Sequence, residues 1–109
     1  MILDYSKMPE VDIPHFKGGE GAAHARMQFD GMNRIMLGRL GKGDTIGLHT
    51  HETSSEIVYV VQGTARVLMD GVEELVTAGN AHYCPKGHTH CMSSAGEEDL
   101  IIFAVVPEQ

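Results

Sequence analysis

The sequence contains no tryptophan, and it has only three phenylalanines, three tyrosines and two cysteines. Two thiols, Cys84 and Cys91, cannot make a disulfide framework, so reduced side chains in a cytoplasmic setting are expected. Positive charge is scarce as well: 8 Lys and Arg face 15 Asp and Glu, for a formal charge of −7. Such a surface repels phosphate backbones and anionic lipids, which excludes nucleic acid and membrane surfaces as expected partners. Long apolar runs are missing. The apolar stretch 100–106 falls far short of the roughly 20 residues that span a bilayer. Residues 1–14 lack the basic-then-apolar pattern of a signal peptide. No segment carries a helical stripe of useful length.

Glycine and histidine are plentiful instead. Thirteen glycines in 109 residues is about 12%, against a usual value near 7%. Seven histidines suggest metal or acid–base chemistry if their rings converge. The remaining composition, 42% hydrophobic and 21% charged, is that of one ordinary globular domain.

The glycines punctuate short strands. Gly63, Gly71, Gly79 and Gly87 fall eight residues apart, and Asp70-Gly71 is a strong two-residue hairpin signal. Between them lie β-rich segments at 65–69, 72–76, 81–84 and 88–92. Strand candidates at 35–40, 45–51 and 56–61 precede them, and 100–106 follows. Many short strands separated by turns predict an all-β sandwich or barrel. Residues 18–23 are expected as a loop leading to a first strand near 26–29. Residues 1–32 are divided off as an N-terminal arm and first strand, and 33–109 as the barrel, within one domain overall.

Strand alternation assigns faces. His49 and His51 share a face with Thr45 and Gly47, while Ile46 and Leu48 take the other. Glu56, Val58 and Val60 point one way, and Ile57, Tyr59 and Val61 the other. Apolar residues on both faces need two covers, one of which is the barrel interior. The second is either the opposing sheet or another subunit, and a homodimer is the candidate for that cover.

His49 and His51, two apart on a strand, aim both imidazoles into one space. The break at 52–55 lets Glu56 point back at them, and His90 follows a Pro85-Lys86-Gly87 turn. Three imidazoles and a carboxylate suit one divalent Mn, Fe, Ni, Zn or Cu ion per chain. Glu52 has the opposite parity and is expected in solvent. His82 and Cys84 share a face. His88 shares the parity of His90 but sits in the turn. His15 and His24 are expected in an exposed arm. Arg26, Arg34 and Arg39 could hold an anion if one of them points inward.

The stretch Gly43-x5-His49-x-His51-x4-Glu56-x6-Gly63 resembles the first motif of the cupins. Gly79-x5-Pro85-x-Gly87-x2-His90 resembles the second, with Ser94 where that motif often ends in Asn. The resemblance covers about residues 33–106. It implies a double-stranded β-helix, or jelly-roll, barrel with a metal held by His49, His51, Glu56 and His90, and frequent dimerisation. Positions 82 and 84 are usually apolar and inward in that family, which makes His82 a candidate for cavity acid–base chemistry, with His88 a weaker one. The implied function is metal-dependent action on a small organic acid, dioxygenase- or decarboxylase-like. The alternatives are a non-catalytic binder of a small carboxylate such as oxalate, and a sugar isomerase- or epimerase-like cupin. Fold and ligands alone do not choose among these.

Overall fold

A computed structural model describes all residues, Met1–Gln109. Ten strands form two sheets. In chain order they are β1 (Val11–Pro14), β2 (Ala22–Phe29), β3 (Asn33–Leu40), β4 (Thr45–Thr50), β5 (Glu56–Gln62), β6 (Thr64–Met69), β7 (Val72–Thr77), β8 (Ala81–Cys84), β9 (Thr89–Ser94) and β10 (Leu100–Pro107). The six-stranded sheet runs β1-β2-β3-β10-β5-β8 and the four-stranded sheet β4-β9-β6-β7. Every strand pairing is antiparallel. This is the all-β double-stranded β-helix barrel that the turn spacing and motifs imply. No helix of the chain is long and apolar enough to cross a membrane.

The turns follow local chemistry. Asp70 and Gly71 take φ of 49° and 82°, the left-handed pair that joins β6 to β7 in a two-residue hairpin turn matching strand twist. The core forms where the two sheets face each other. Leu40, Val58, Val60, Val67, Leu100 and Ile102 are almost wholly buried. Alternation along β5 is as read from the sequence: Glu56, Val58 and Val60 are buried, while Ile57, Tyr59 and Val61 are exposed.

The N-terminal region differs from expectation. The 18–23 loop is shorter than expected, because β2 already begins at Ala22. The arm carries a strand of its own, β1, which pairs with β2 from Val11↔Ala25 to Pro14↔Ala22. Ile13 and Phe16 pack against the core. Four residues with a Pro and an Asp make no strand signal alone; the partner strand β2 supplies the ladder. His24 lies in β2 rather than in an exposed arm, and its side chain is largely covered.

After β1 the chain makes a 3-10 turn at Phe16–Gly18 and crosses β4 closely. Gly19 and Gly47 meet there backbone to backbone. A Cβ on Gly47 would lie 2.7 Å from the Gly19 nitrogen and closer still to the Lys17 carbonyl oxygen. Thr45 N donates to the Glu20 carbonyl at 2.9 Å, and Glu20 N to the Thr45 hydroxyl at 2.7 Å, which fixes the crossing.

The register of β4 against β9 shifts between Ile46 and His49. Such a bulge opposes extra residues on one strand to fewer on its partner and resets the alternation beyond it. Ile46 therefore points into the barrel, Leu48 out to solvent, and His49 back inward. The simple alternation that put Ile46 and Leu48 on one face, opposite His49, is corrected by this irregularity.

Candidate metal centre

Four side chains converge at one end of the barrel: His49 from the end of β4, His51 just beyond it, Glu56 from the start of β5 and His90 from β9. Backbone pairing sets their approach. His49 lies opposite His90 in the β4–β9 register. His51 N donates to the His88 carbonyl at 3.0 Å, and Gly87 N donates to the His51 carbonyl at 2.7 Å. The Pro85-Lys86-Gly87 turn thereby clamps His51 beside the strand that carries His90.

The three Nε2 atoms form a triangle. His51 to His90 is 3.0 Å, His49 to His51 is 3.2 Å and His90 to His49 is 3.2 Å. Glu56 Oε1 lies 3.0 Å from His90 Nε2 and 3.3 Å from His51 Nε2. Each Nδ1 is engaged elsewhere. His49 Nδ1 donates to the Gly47 carbonyl at 2.7 Å, which fixes the proton on Nδ1 because a carbonyl only accepts. His51 Nδ1 meets the Ser54 hydroxyl at 3.0 Å, and His90 Nδ1 meets His82 Nε2 at 3.0 Å. With protons on Nδ1, three Nε2 lone pairs face one point.

That donor set fits a divalent cation. Three converging lone pairs beside a carboxylate repel one another unless positive charge stands between them. Donor atoms about 2.1 Å from one ion lie about 3.0 Å apart at octahedral angles and about 3.4 Å apart at tetrahedral ones. The observed separations, 3.0–3.3 Å, lie between the two. Burial acts to raise the Glu56 carboxyl, but in the metal-free site rings of His51 and His90 that carry a proton on Nε2 donate to it, outweigh burial and hold its pKa down at about 2. The carboxylate is therefore ionised at neutral pH. Burial pushes the pKa of His49 down, favouring the neutral ring that a metal ligand must have.

A cavity of about 300 Å³ opens beside the cluster, lined by His49, His51 and Glu56 together with apolar Phe16, Met36, Ile46 and Val106. Lys17 and Arg34 bring positive charge to it, and Glu52 and Glu108 negative charge. Arg34 lines this cavity, and Arg26 and Arg39 do not. Its guanidinium stacks 4.9 Å over the Phe29 ring, and its Nε is buried without a hydrogen-bond partner. Strand parity could not place Arg34, because the start of β3 was uncertain in the sequence.

The other histidines lie elsewhere. His82 is buried and points inward, as its parity suggests, but it does not line the cavity. Its Nε2 meets His90 and its Nδ1 meets Glu74 Oε1 at 3.0 Å, so no ring nitrogen is left for a bound molecule. Burial pushes the pKa of His82 down. His88 is half exposed, and its Nδ1 pairs with Asp70 in the β6–β7 turn, outside the cavity. The turn preceding β9 overrides the parity that aligned it with His90. A second acidic grouping, Glu10, Asp12 and His24, lies on the surface. Both nitrogens of His24 are occupied there, by Asp12 at 2.6 Å and Asp44 at 3.3 Å, and Arg39 takes Glu10 at 2.7 Å. It is an ion-pair network in which each of these carboxylates already has His24 or Arg39 as its partner.

Comparison with known proteins places this geometry. The oxalate-binding protein of Thermotoga maritima is 28% identical over 112 residues, covering 97% of this chain and 93% of that protein. The Escherichia coli mannose-1-phosphate guanylyltransferase is 34% identical over 65 residues, 60% of this chain but 13% of that enzyme. Among solved structures, a predicted oxalate decarboxylase from Thermotoga maritima superposes with a TM-score of 0.92 at 24% identity, covering 100% of both chains. An RmlC-like cupin from Shewanella frigidimarina superposes with a TM-score of 0.81 at 20% identity, covering 99% of this chain and 90% of that one. The family model of the cupin domain matches residues 36–106, and with that match the chain belongs to the cupins.

Proposed function

We propose that this cupin binds one divalent metal ion through His49, His51, Glu56 and His90, and that the ion takes a small carboxylate of the oxalate class. The observation that carries the reading is the convergence of three Nε2 atoms and one carboxylate oxygen beside a cavity that Arg34 also lines. The ion would serve as a Lewis acid and template for the acid. Four protein donors leave two positions of an octahedral ion free, enough for a bidentate carboxylate.

Arg34 suits the outer part of such an acid. A guanidinium presents two parallel donors that match a carboxylate, and the Phe29 ring holds it in one orientation. The oxalate-binding relative supports this ligand class. His82 and His88 receive no proton-transfer role here, because both ring nitrogens of His82 are bonded and neither residue lines the cavity. A second reading is decarboxylase- or dioxygenase-like turnover of the same acids. Glu52 and Glu108, which line the cavity beside the ligands, favour it as groups that could carry a proton.

The test begins with elemental analysis of protein purified without an affinity tag, expecting about one transition-metal ion per chain. Ala variants of the four ligands should lose it. Calorimetry should then show oxalate binding to manganese-loaded protein, none to metal-free protein, and weaker binding to Arg34→Gln. Undiminished metal in all four Ala variants, or no carboxylate binding by the loaded protein, overturns the reading. Oxygen uptake and carbon dioxide release with the same acids decide between binder and enzyme.

We also propose a homodimer. Ile57, Tyr59 and Val61 of β5 and Tyr83 of β8 are all about half exposed and form one apolar strip, with Ile57 directly opposite Tyr83. Apolar strips of this kind mark interaction surfaces. Free Cys84 and Cys91 agree with a reducing cytoplasmic setting.

A further inference from the structure

The two sheets meet along a seam where β7, the edge of the four-stranded sheet, passes β8, the edge of the six-stranded one, without a backbone ladder between them. Glu74 of β7 reaches across this seam to His82 of β8, and His82 reaches on to His90 of β9. Both links measure 3.0 Å. The His82 and His90 ring planes are 28° apart, close to the coplanar arrangement of an in-plane N–H···N bond. A shallow cavity of about 280 Å³, lined by Glu74, Asn80, His82 and Tyr83, brings solvent to the Glu74 end. It is separate from the cavity beside the ligands.

Hydrogen-bond chemistry gives this row one direction. The Glu74 carboxylate only accepts, so the facing nitrogen of His82, Nδ1, carries the proton. In the neutral ring Nε2 is then an acceptor. His90 Nδ1 must therefore be the donor of the next link, which leaves the His90 Nε2 lone pair free, 3.0 Å from His51 Nε2 and from Glu56 Oε1. A carboxylate bonded to the far nitrogen of a ligand histidine fixes its tautomer and raises its basicity. Here the carboxylate acts through one additional ring.

We propose that Glu74 and His82 are positioning residues for the metal centre, holding His90 in the Nδ1-protonated tautomer with Nε2 aimed at the ion. This rests on the metal-binding reading above. His82 is 3% exposed, in a space that an apolar side chain could fill. An imidazole there costs desolvation that is recovered only if both its nitrogens are bonded, as they are. The row therefore tunes this cupin's affinity for its ion from outside the ligand set.

The experiment measures Zn²⁺ affinity by chelator competition for the wild-type chain and for His82→Leu, Glu74→Leu and Glu74→Gln. The readouts are the dissociation constant, the melting temperature of metal-free protein, and the His90 Nδ1–H signal in ¹⁵N NMR of the zinc-loaded form. His82→Leu should weaken binding about 10- to 100-fold. Glu74→Leu should weaken it less, and Glu74→Gln, whose amide oxygen still accepts, least. Metal-free melting should hold or rise in His82→Leu, while the slowly exchanging His90 Nδ1–H is lost. Glu74 is half exposed on an edge strand, so its variants carry the test should His82→Leu fail to fold. Affinity within twofold of wild type in the folded Leu variants overturns the proposal. So does affinity that falls only in step with metal-free stability, with the Nδ1–H signal intact. A wild-type chain that binds no zinc, manganese or nickel removes the metal reading and this one together. Normal wild-type binding with unaffected variants removes this one alone.

Discussion

Replacing Gly47 by Ala probes the backbone crossing beside the ligands. The added Cβ would stand 2.7 Å from the Gly19 nitrogen, and nearer to the Lys17 carbonyl oxygen. Ordinary contact requires about 3.4 Å, so one of the two segments must retreat by at least about 0.7 Å. Neither moves freely. The Thr45 and Glu20 hydrogen bonds tie them together, and β4 is held on its other side by β9. Forced overpacking of this kind costs about 1–3 kcal/mol, and a fixed backbone on both sides puts Gly47→Ala in the upper half, about 2–3 kcal/mol. At roughly 4 °C per kcal/mol for a chain of this size, metal-free protein should melt about 8–12 °C lower. The Gly47 carbonyl also anchors His49 Nδ1, so metal affinity should fall in the same variant. Gly96→Ala is the control, because nothing lies within 4 Å of its Cβ position and its φ is not positive. It should melt within about 2 °C of wild type. Differential scanning fluorimetry with a chelator present reads both. A Gly47→Ala protein that melts with wild type would refute the claim that this crossing needs glycine.

Three further outcomes are expected. The Asp12 carboxylate beside His24 holds its pKa above the usual value; the stabilisation is thus complete below about pH 6.5 and is lost as pH rises through the raised folded value. Melting curves of wild type and His24→Gln should differ most in mild acid, by less than about 1 kcal/mol because Asp12 is exposed, and a gap that widens toward alkaline pH contradicts this. Cys84 is wholly buried, and burial pushes its thiol up to about 11, so a thiol reagent should modify Cys91 first and reach Cys84 only on unfolding; equal native rates would refute it. Light scattering at micromolar concentration should give a dimer mass for wild type and a monomer for Tyr59→Asp, whereas a monomeric wild type removes the homodimer.

Much of the barrel was legible because its signals are local. Asp70-Gly71 specifies its turn from two residues, and the inward set Glu56, Val58 and Val60 follows from period-2 alternation. The four candidate ligands stood out because two histidines, a glutamate and a third histidine recur at motif spacing. What was not legible depends on distant partners. β1 is a strand only because β2 lies beside it. The bulge before His49 reflects register against β9, forty residues on, and it reverses the face assigned to Ile46. His82 was readable as inward, but Glu74 belongs to the other sheet and meets it only across the seam. Arg34 reaches the cavity from the start of β3, a place that no local pattern marks.

The position of β10 bears on how the barrel comes into being. Leu100–Pro107 lies between β3 and β5 in the middle of the six-stranded sheet, pairing Leu100 with Leu40 and Ile102 with Val60. During synthesis, β3 and β5 leave the ribosome well before the strand that joins them. Until it arrives, their facing edges and the core positions filled by Leu100, Ile102 and Ala104 stand open. The sheet can therefore close only after synthesis has passed residue 107, and largely through contacts distant in sequence. Such topologies fold in milliseconds to seconds. The nascent chain presents two unpaired edges in that interval, so this barrel is most exposed to misassociation just before its last strand is made.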